Sequence, residues 1–448
     1  MDLVLLSRIQ FAVTIGFHYL YPPLSIGLGL ALVVMEGLYL RTRDPAHRQL
    51  VRFWVRIFGL IFAFGVGTGI VMEFEFGTNW ARYSRFVGDI FGGPLAAEGI
   101  FAFFLESGFL AILLFGWEKV GPRMHFLSTL MVCLGAHFSA IWIVVANSWM
   151  QTPTAYHIVE TAYGPRAEIT SFWGAVFNPS TLDRLSHTIM GSWQAGAFFV
   201  VSVGCWYLLK KQHTGFARLS VKVGLALAMV ASIGQLVTGH ASAVTVAEHQ
   251  PAKLAAFEGI YATGADAPLT ILGWVDEERQ QVRGIAIPGL LSVLVGGSRG
   301  TVVTGLNDIP IDERPPVQPV FQFYHLMVAL GMLLIALAWG GGLLAWRGAL
   351  WRSRPLLWLG VLSVLVPQAA NQLGWAAAEV GRQPWIVQGL MRTADAVSDT
   401  IEPGQVLLSL VLFTLIYLAL FVVFIVLLDQ KVRKGPLDAD LHPGREVL

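Results

Sequence analysis

The stretch QVLLSLVLFTLIYLALFVVFIVLLD, residues 405–429, decides the fold. No charged residue appears in it until Asp429. A helix needs roughly 20 apolar residues to cross the hydrocarbon of a bilayer, and this run supplies them. Eight further apolar runs lie upstream, at 10–38, 53–76, 94–116, 125–149, 185–209, 219–241, 319–346 and 355–377. The reading is an all-α polytopic membrane protein, with about nine transmembrane helices in a bundle. Composition agrees. Of 448 residues, 55% are hydrophobic and 13% charged, against about 25% charged in a typical soluble chain. The mean hydropathy is +0.62. Lys and Arg number 30 and Asp and Glu 29, so no basic excess points to nucleic acid. Cys133 and Cys205 both sit in apolar runs, with no disulfide framework and no Cys-x-x-Cys-His. No P-loop, Rossmann glycine pattern or His-Glu-x-x-His is present. The first run is too long for a cleaved signal peptide and is expected to remain as a helix.

Three breaks exceed a tight turn: 77–93, 150–184 and 242–318. The last is rich in Pro, Gly and charge and is expected outside the membrane. The chain thus divides into 1–241 with six helices, a 242–318 loop, and 319–448 with three helices and a tail. With nine spans, successive connections alternate sides. One side collects 17 Lys and Arg in short connections and the tail, the other 7 outside the long loop. Positive charge stays on the cytoplasmic side. The N-terminus and the 242–318 loop are therefore expected outside and the C-terminus in the cytoplasm. No internal repeat supports an inverted-repeat transporter.

Ionisable residues inside spans are costly and raise functional hypotheses. They are His18, Glu36, Glu73, Glu75, Glu98, Glu106, His137, His187, His240, His325 and Glu379. His187 opens the fifth span and Met327 lies in the outer third of the seventh. At similar depth, a His and a Met on facing helices can ligate a low-spin heme. Equally, His187 could cap its helix and Met327 could fill core space. His18 reads as either a heme ligand or a satisfied bundle histidine. Glu98 and Glu106 lie eight residues apart, about 12 Å and about 80° on an ideal helix. They can face one cavity as a proton relay, or simply bond neighbouring helices. Glu379, near Arg382, reads on position as an interfacial ion pair. The chemical groups gather toward one face, which suits closely spaced hemes better than a midplane transport site.

Several long motifs resemble subunit I of cytochrome bd-type quinol oxidases, in that family's order and along nearly the whole chain. They are SRIQFAVTIGFHYLYPPLSIG (7–27), MEFEFGTNW (72–80), VGDIFGGPLAAEGIFAFFLES (87–107), WIVVANSWMQTP (142–153) and EVGRQPW (379–385). The resemblance implies that His187 in LSHTIMGSW and Met327 in YHLMVALG ligate low-spin heme b. It implies that His18 and Glu379 serve two high-spin groups, a high-spin heme b and a heme d, or a third heme b in its place. It sets Glu98 and Arg382 beside that pair and Glu106 on the proton path from inside. Lys253 and Glu258, in HQPAKLAAFEG, match quinol-binding residues.

The implied enzyme sits in the bacterial inner membrane, oxidises quinol outside and reduces O2 to water with cytoplasmic protons. Its implied partners are a second membrane subunit (subunit II), in some members a small single-span subunit, membrane quinol and O2. The loop resembles the short-loop class, and GHASAVTVAEHQPAKLAAFEG and GLMRTADAVSD lean toward the cyanide-insensitive branch. His325 stands where some relatives carry Arg, and His240 where others have an acid. Two other functions also fit the residues: a b-type quinol cytochrome that does not reduce oxygen, and a proton-coupled transporter.

Overall fold

The protein is described here as a computed structural model covering residues 2–440. Arg445, part of the charge bias, and His442 lie outside these residues. Nine helices or broken helices among the described residues are long and apolar enough to cross a membrane.

The chain opens with α1 (Leu3–His18) and α2 (Pro22–Thr42), which correct the expected single helix over 10–38. Pro22 and Pro23 have no amide hydrogen to donate back to α1, yet suit the first turn of α2. The two halves are one broken span. α3 (Pro45–Thr78) runs antiparallel along both. Asn79, just past its end, donates to Gln10 at 3.1 Å, and Thr42 meets His47 at 2.9 Å.

The expected open break at 77–93 is also corrected. Only Asn79 and Trp80 separate α3 from α4 (Ala81–Ala97). Tyr83, Phe86, Val87, Ile90 and Phe91 form a buried stripe at helical spacing, while Arg82 and Arg85 stay exposed. The mixed polarity of this amphipathic helix hides it from a search for continuous apolar runs. A π-helical segment, Glu98–Phe103, joins it to α5 (Phe104–Phe115), and α6 (Pro122–Gln151) follows. The 150–184 break contains an antiparallel hairpin, β1 (Tyr156–Thr161) and β2 (Gly164–Ile169), and the short helix α7 (Phe172–Val176).

α8 (Thr181–Lys210) is the most enclosed span. Gly27 of α2 and Gly196 of α8 let the two backbones touch. A Cβ on Gly27 would lie 2.2 Å from the Ser192 carbonyl oxygen and 2.7 Å from the Gly196 nitrogen. α9 (Thr214–His249) continues past residue 241, so the expected boundary between 241 and 242 falls inside a helix. The loop then holds α10 (Pro251–Glu258), β3 (Leu269–Asp276) paired with β4 (Gln281–Ile287), and α11 (Leu290–Gly296).

α12 (Val317–Trp346) is followed by a second broken span, α13 (Arg354–Leu362) and α14 (Leu365–Val380). A third small hairpin, β5 (Trp385–Val387) with β6 (Met391–Arg392), precedes α15 (Pro403–Lys434). The three hairpins qualify the all-α reading without changing its class.

The hairpin segments gather at one end of the bundle. Gln388 donates its amide to Met150 O at 2.9 Å, and Arg392 pairs with Asp312 at 2.7 Å. We call this the loop end. At the opposite end, Arg52 and Arg56 pair with Asp440 at 2.8 and 3.1 Å, and Arg48 with Glu118 at 2.7 Å.

Candidate functional site

Four helices frame the first candidate site. α9 and α14 each pack on both α8 and α12, which places α8 and α12 across from one another. His187 lies in the second turn of α8 from the loop end, and its Nδ1 is 3.2 Å from Thr238 Oγ1 of α9. The Gln235 side-chain amide donates to His187 Nε2 at 2.9 Å. Met327 lies on α12 opposite. A Cβ on Gly374 of α14 would sit 2.7 Å from its sulfur, so the glycine leaves room for the thioether.

His18 is the last residue of α1, where the proline break ends the helix. Its Nδ1 is 3.0 Å from Thr68 Oγ1 of α3. His18 and His187 are thus held in the same manner in two different helix pairs.

Glu379 is the penultimate residue of α14, within the helix rather than past its end as expected. Its carboxylate accepts from Arg382 at 2.5 Å, Asn147 at 3.1 Å and Gln151 at 3.2 Å. Lys253 of α10 donates to Gln151 and, at 2.8 Å, to Gln250. Arg184 of α8 donates to Asn147, and its Nε reaches Ser148 at 3.2 Å. A buried hydrogen-bonded line therefore runs from the long loop to Glu379. Arg382 pairs with this carboxylate while Arg184 and Lys253 stand near it, and Arg382 Nη1 is buried without a partner among the described residues. Burial, then the Arg184 and Arg382 guanidinia, hold the Lys253 amine well below the usual lysine range.

Glu258 ends α10 on another side, facing Tyr324 and Thr270 rather than the Glu379 line. Phe257 beside it stacks on Tyr324 at 4.4 Å. Burial pushes the Glu258 carboxyl up to about 8, opposed by the Thr270 backbone. Its Oε2 is buried with no partner.

Glu98 opens the π-helical segment and accepts from Ser139 of α6 at 2.6 Å. Glu106 packs over Gly135, one turn along α6, where a Cβ would lie 2.3 Å from its Cγ. The π segment replaces the ideal-helix spacing, and both carboxylates meet the same face of α6.

Both Glu75 carboxylate oxygens are buried without a hydrogen-bond partner among the described residues, whereas His137, His325 and Glu36 have structural partners. His137 sits between the Cys133 carbonyl and the Trp193 indole, at 2.7 and 3.0 Å. His325 lies between the Phe321 and Thr270 carbonyls, at 2.9 Å from each. Glu36 pairs with His125 at 2.6 Å.

Sequence reasoning missed Arg184, Asn147, Gln151, Gln250, Thr68, Thr238 and Gln235. Arg184 was counted only as a connection charge. Asn147 and Gln151 stand four residues apart inside the quoted WIVVANSWMQTP motif, a spacing that places them on one helical face.

Residues 6–436 match the family model for cytochrome bd terminal oxidase subunit I. Cytochrome bd ubiquinol oxidase subunit 1 of Bacillus subtilis (strain 168) is 36% identical, across 97% of this chain and 94% of its own. Cytochrome bd-II ubiquinol oxidase subunit 1 of Escherichia coli (strain K12) is 34% identical, across 97% of each. A Bacillus subtilis protein named putative cytochrome bd menaquinol oxidase subunit I is 31% identical, across 99% of each. The solved bd oxidase of Geobacillus thermodenitrificans superposes with a TM-score of 0.90 at 31% identity, covering 97% of this chain and 99% of that one.

Proposed function

The chain belongs to the cytochrome bd terminal oxidase subunit I family, and from that premise we propose how its residues divide the work of a quinol oxidase. It is a multi-pass membrane protein, the heme-bearing catalytic subunit of a multi-subunit terminal oxidase. Low-spin heme b is held by His187 and Met327. His18 and Glu379 serve two high-spin groups, a high-spin heme b and a heme d, or a third heme b in its place. The residues present fit these groups. His18 Nε2 has no hydrogen-bond partner among the described residues, and at His187 Nε2 stands only the Gln235 amide, also 3.2 Å from Nδ1, which would have to turn aside for iron. The orphaned Arg382 nitrogen and the excess of buried cations suit the carboxylates that porphyrins carry. When bound, the hemes would supply one-electron transfer and a site for oxygen.

The chain sits in the bacterial inner membrane with its N-terminus and loop end outside, as the charge bias supports. Subunit II, and a small single-span subunit, complete the assembly. Quinol binds at the loop, against Lys253 and Glu258. Glu258 offers an unpartnered oxygen, and once ionised it takes the quinol proton. Lys253 must release Gln151 or Gln250 to reach a quinol oxygen, so it also ties the loop to the Glu379 line. Glu106 holds protons arriving from the cytoplasmic side and passes them toward Glu98, whose carboxylate Ser139 orients. Arg382 holds Glu379 in place. Oxidising quinol at one face while drawing protons from the other separates charge without a pump.

The observation that carries this reading is the buried line from Lys253 through Gln151 to Glu379, which joins the quinol loop to a heme-site carboxylate. The test is quinol-driven O2 reduction by the complete complex in sealed vesicles. Glu106→Gln should slow O2 reduction roughly 10²-fold or more and collapse the membrane potential. Full O2 reduction with a normal potential would remove Glu106 from the proton route.

A further inference from the structure

His18 and His187 sit in different helix pairs, yet each meets the same two-residue clasp. His18 of α1 faces Thr68 and Gly69 of α3, and His187 of α8 faces Thr238 and Gly239 of α9. The pairs are separated by nearly equal lengths of chain, 50 and 51 residues.

The direction of each bond can be worked out. A threonine hydroxyl has one proton. Thr68 gives it to the Phe64 carbonyl at 2.8 Å, and Thr238 gives it to the Gly234 carbonyl at 2.8 Å, each four residues back on its own helix. Each hydroxyl therefore turns a lone pair toward its histidine, and Nδ1–H must be the donor. That fixes the neutral tautomer with the proton on Nδ1 and the lone pair on Nε2. At His187 the Gln235 amide nitrogen lies 3.2 Å from Nδ1 and 2.9 Å from Nε2, within reach of either, so the threonine alone decides the tautomer there.

The glycines set the distance. A Cβ on Gly69 would lie 3.2 Å from His18 Cε1, and one on Gly239 would lie 3.1 Å from His187 Cε1. Both approaches are tighter than ordinary contact, so any larger residue would push the ring outward. Hydroxyl and glycine together fix the ring's tautomer and its stand-off from the helix.

We propose that Thr68–Gly69 and Thr238–Gly239 are paired positioning devices that preset the Nε2 atoms of His18 and His187 for iron. The threonines touch neither substrate nor heme and act through the histidines. An outer partner that holds Nδ1–H orients a ligating ring and raises its basicity, and its loss typically costs 10–100-fold in metal affinity. This inference rests on the reading of His18 and His187 as heme ligands.

The test uses the complete complex carrying Thr68→Val, Thr68→Ser, Thr238→Val or Thr238→Ser, with His187→Ala alongside. The readouts are heme retained per protein under mild chelating detergent wash, and the midpoint potential of each heme in a spectral redox titration. Each valine variant should lose heme at its own site tenfold or more readily, with a shifted potential there. The other site should keep its spectrum and so report that the bundle is folded. Serine, which keeps the hydroxyl, should restore both readouts. Valine variants with unchanged retention and potential would overturn the proposal. So would serine variants that match valine, or equal loss at both sites. If His187→Ala itself kept the low-spin spectrum, the ligand reading would fail first. If His187→Ala lost that spectrum while Thr238→Val changed nothing, the positioning proposal alone would fail.

Discussion

Glu379, its side chain largely buried, faces Arg382, Arg184 and Lys253, and the imbalance dictates how substitutions should behave. Removing the carboxylate leaves the Arg382 and Arg184 guanidinia without their anion, a situation that costs about 3–5 kcal/mol when a buried pair is broken. Removing Arg382 leaves Glu379 still facing the Arg184 guanidinium. Glu379→Gln should therefore lower the thermal midpoint of the purified complex by several degrees more than Arg382→Gln does. Equal losses would mean that the two side chains form an isolated pair. Glu258 makes a different prediction, through pH. Its carboxyl is pushed up to about 8 by burial, so most of it is protonated at pH 7. If its ionised form takes the quinol proton, quinol oxidation should rise with pH through about 8, and Glu258→Gln should flatten that rise. A rise that survives in the variant would assign the proton to another base. At this scale the sequence was legible where a charge sat in an apolar run, as with Glu98, Glu106 and His187. It was silent on Thr68 and Thr238, because a threonine bonded back to its own helix is ordinary in composition. Its lone pair acquires a role only when another helix brings an imidazole to it.

Elements were legible in proportion to the continuity of their apolar pattern. The run at 405–429 lies within α15 nearly as read. The breaks were harder. Pro22 and Pro23 cut the first span, and Ser363 and Val364 interrupt the eighth, while the apolar pattern runs through both. α4 was read as an open break because half of its surface is polar. The π-helical segment at Glu98–Phe103 lies inside the apolar run read as one span, and that pattern does not mark it. The contact of α2 with α8 gives the prediction proper to this scale. Gly27 and Gly196 meet backbone to backbone, and a carbonyl cannot swing aside as a side chain can. Gly27→Ala should part the helices and destabilise the bundle by about 1–3 kcal/mol or more, seen as a lower thermal midpoint. Gly67→Ala, where nothing lies within 4 Å of the new Cβ, is the matched control and should leave the midpoint nearly unchanged.

Across the whole molecule, the account depends on where chemistry sits along the bundle axis. His187, Glu379 and Lys253 lie toward the loop end, with His18 about ten residues, or ~15 Å, further in along α3. Glu106 lies deeper than Glu98 in the same span and meets α6 one turn nearer the opposite end. On the proposed assignment, that order would let electrons enter at one face and protons at the other. The fold-level reading from apolar runs and motifs survives in the nine spans and in the family match. The convergence of Arg184, Gln151 and Lys253 on Glu379 was not legible, because it joins residues up to 228 positions apart through contacts no linear pattern encodes. The central claim is that this subunit holds its low-spin heme between His187 and Met327 and carries high-spin groups beside it. The measurement that tests it most directly is the reduced-minus-oxidised spectrum of the purified complex beside its His187→Ala variant. The account predicts low-spin b bands together with high-spin signals in the unaltered protein, and loss of the low-spin bands alone in the variant. An unaltered protein without high-spin signals, or a variant that keeps its low-spin bands, would contradict it.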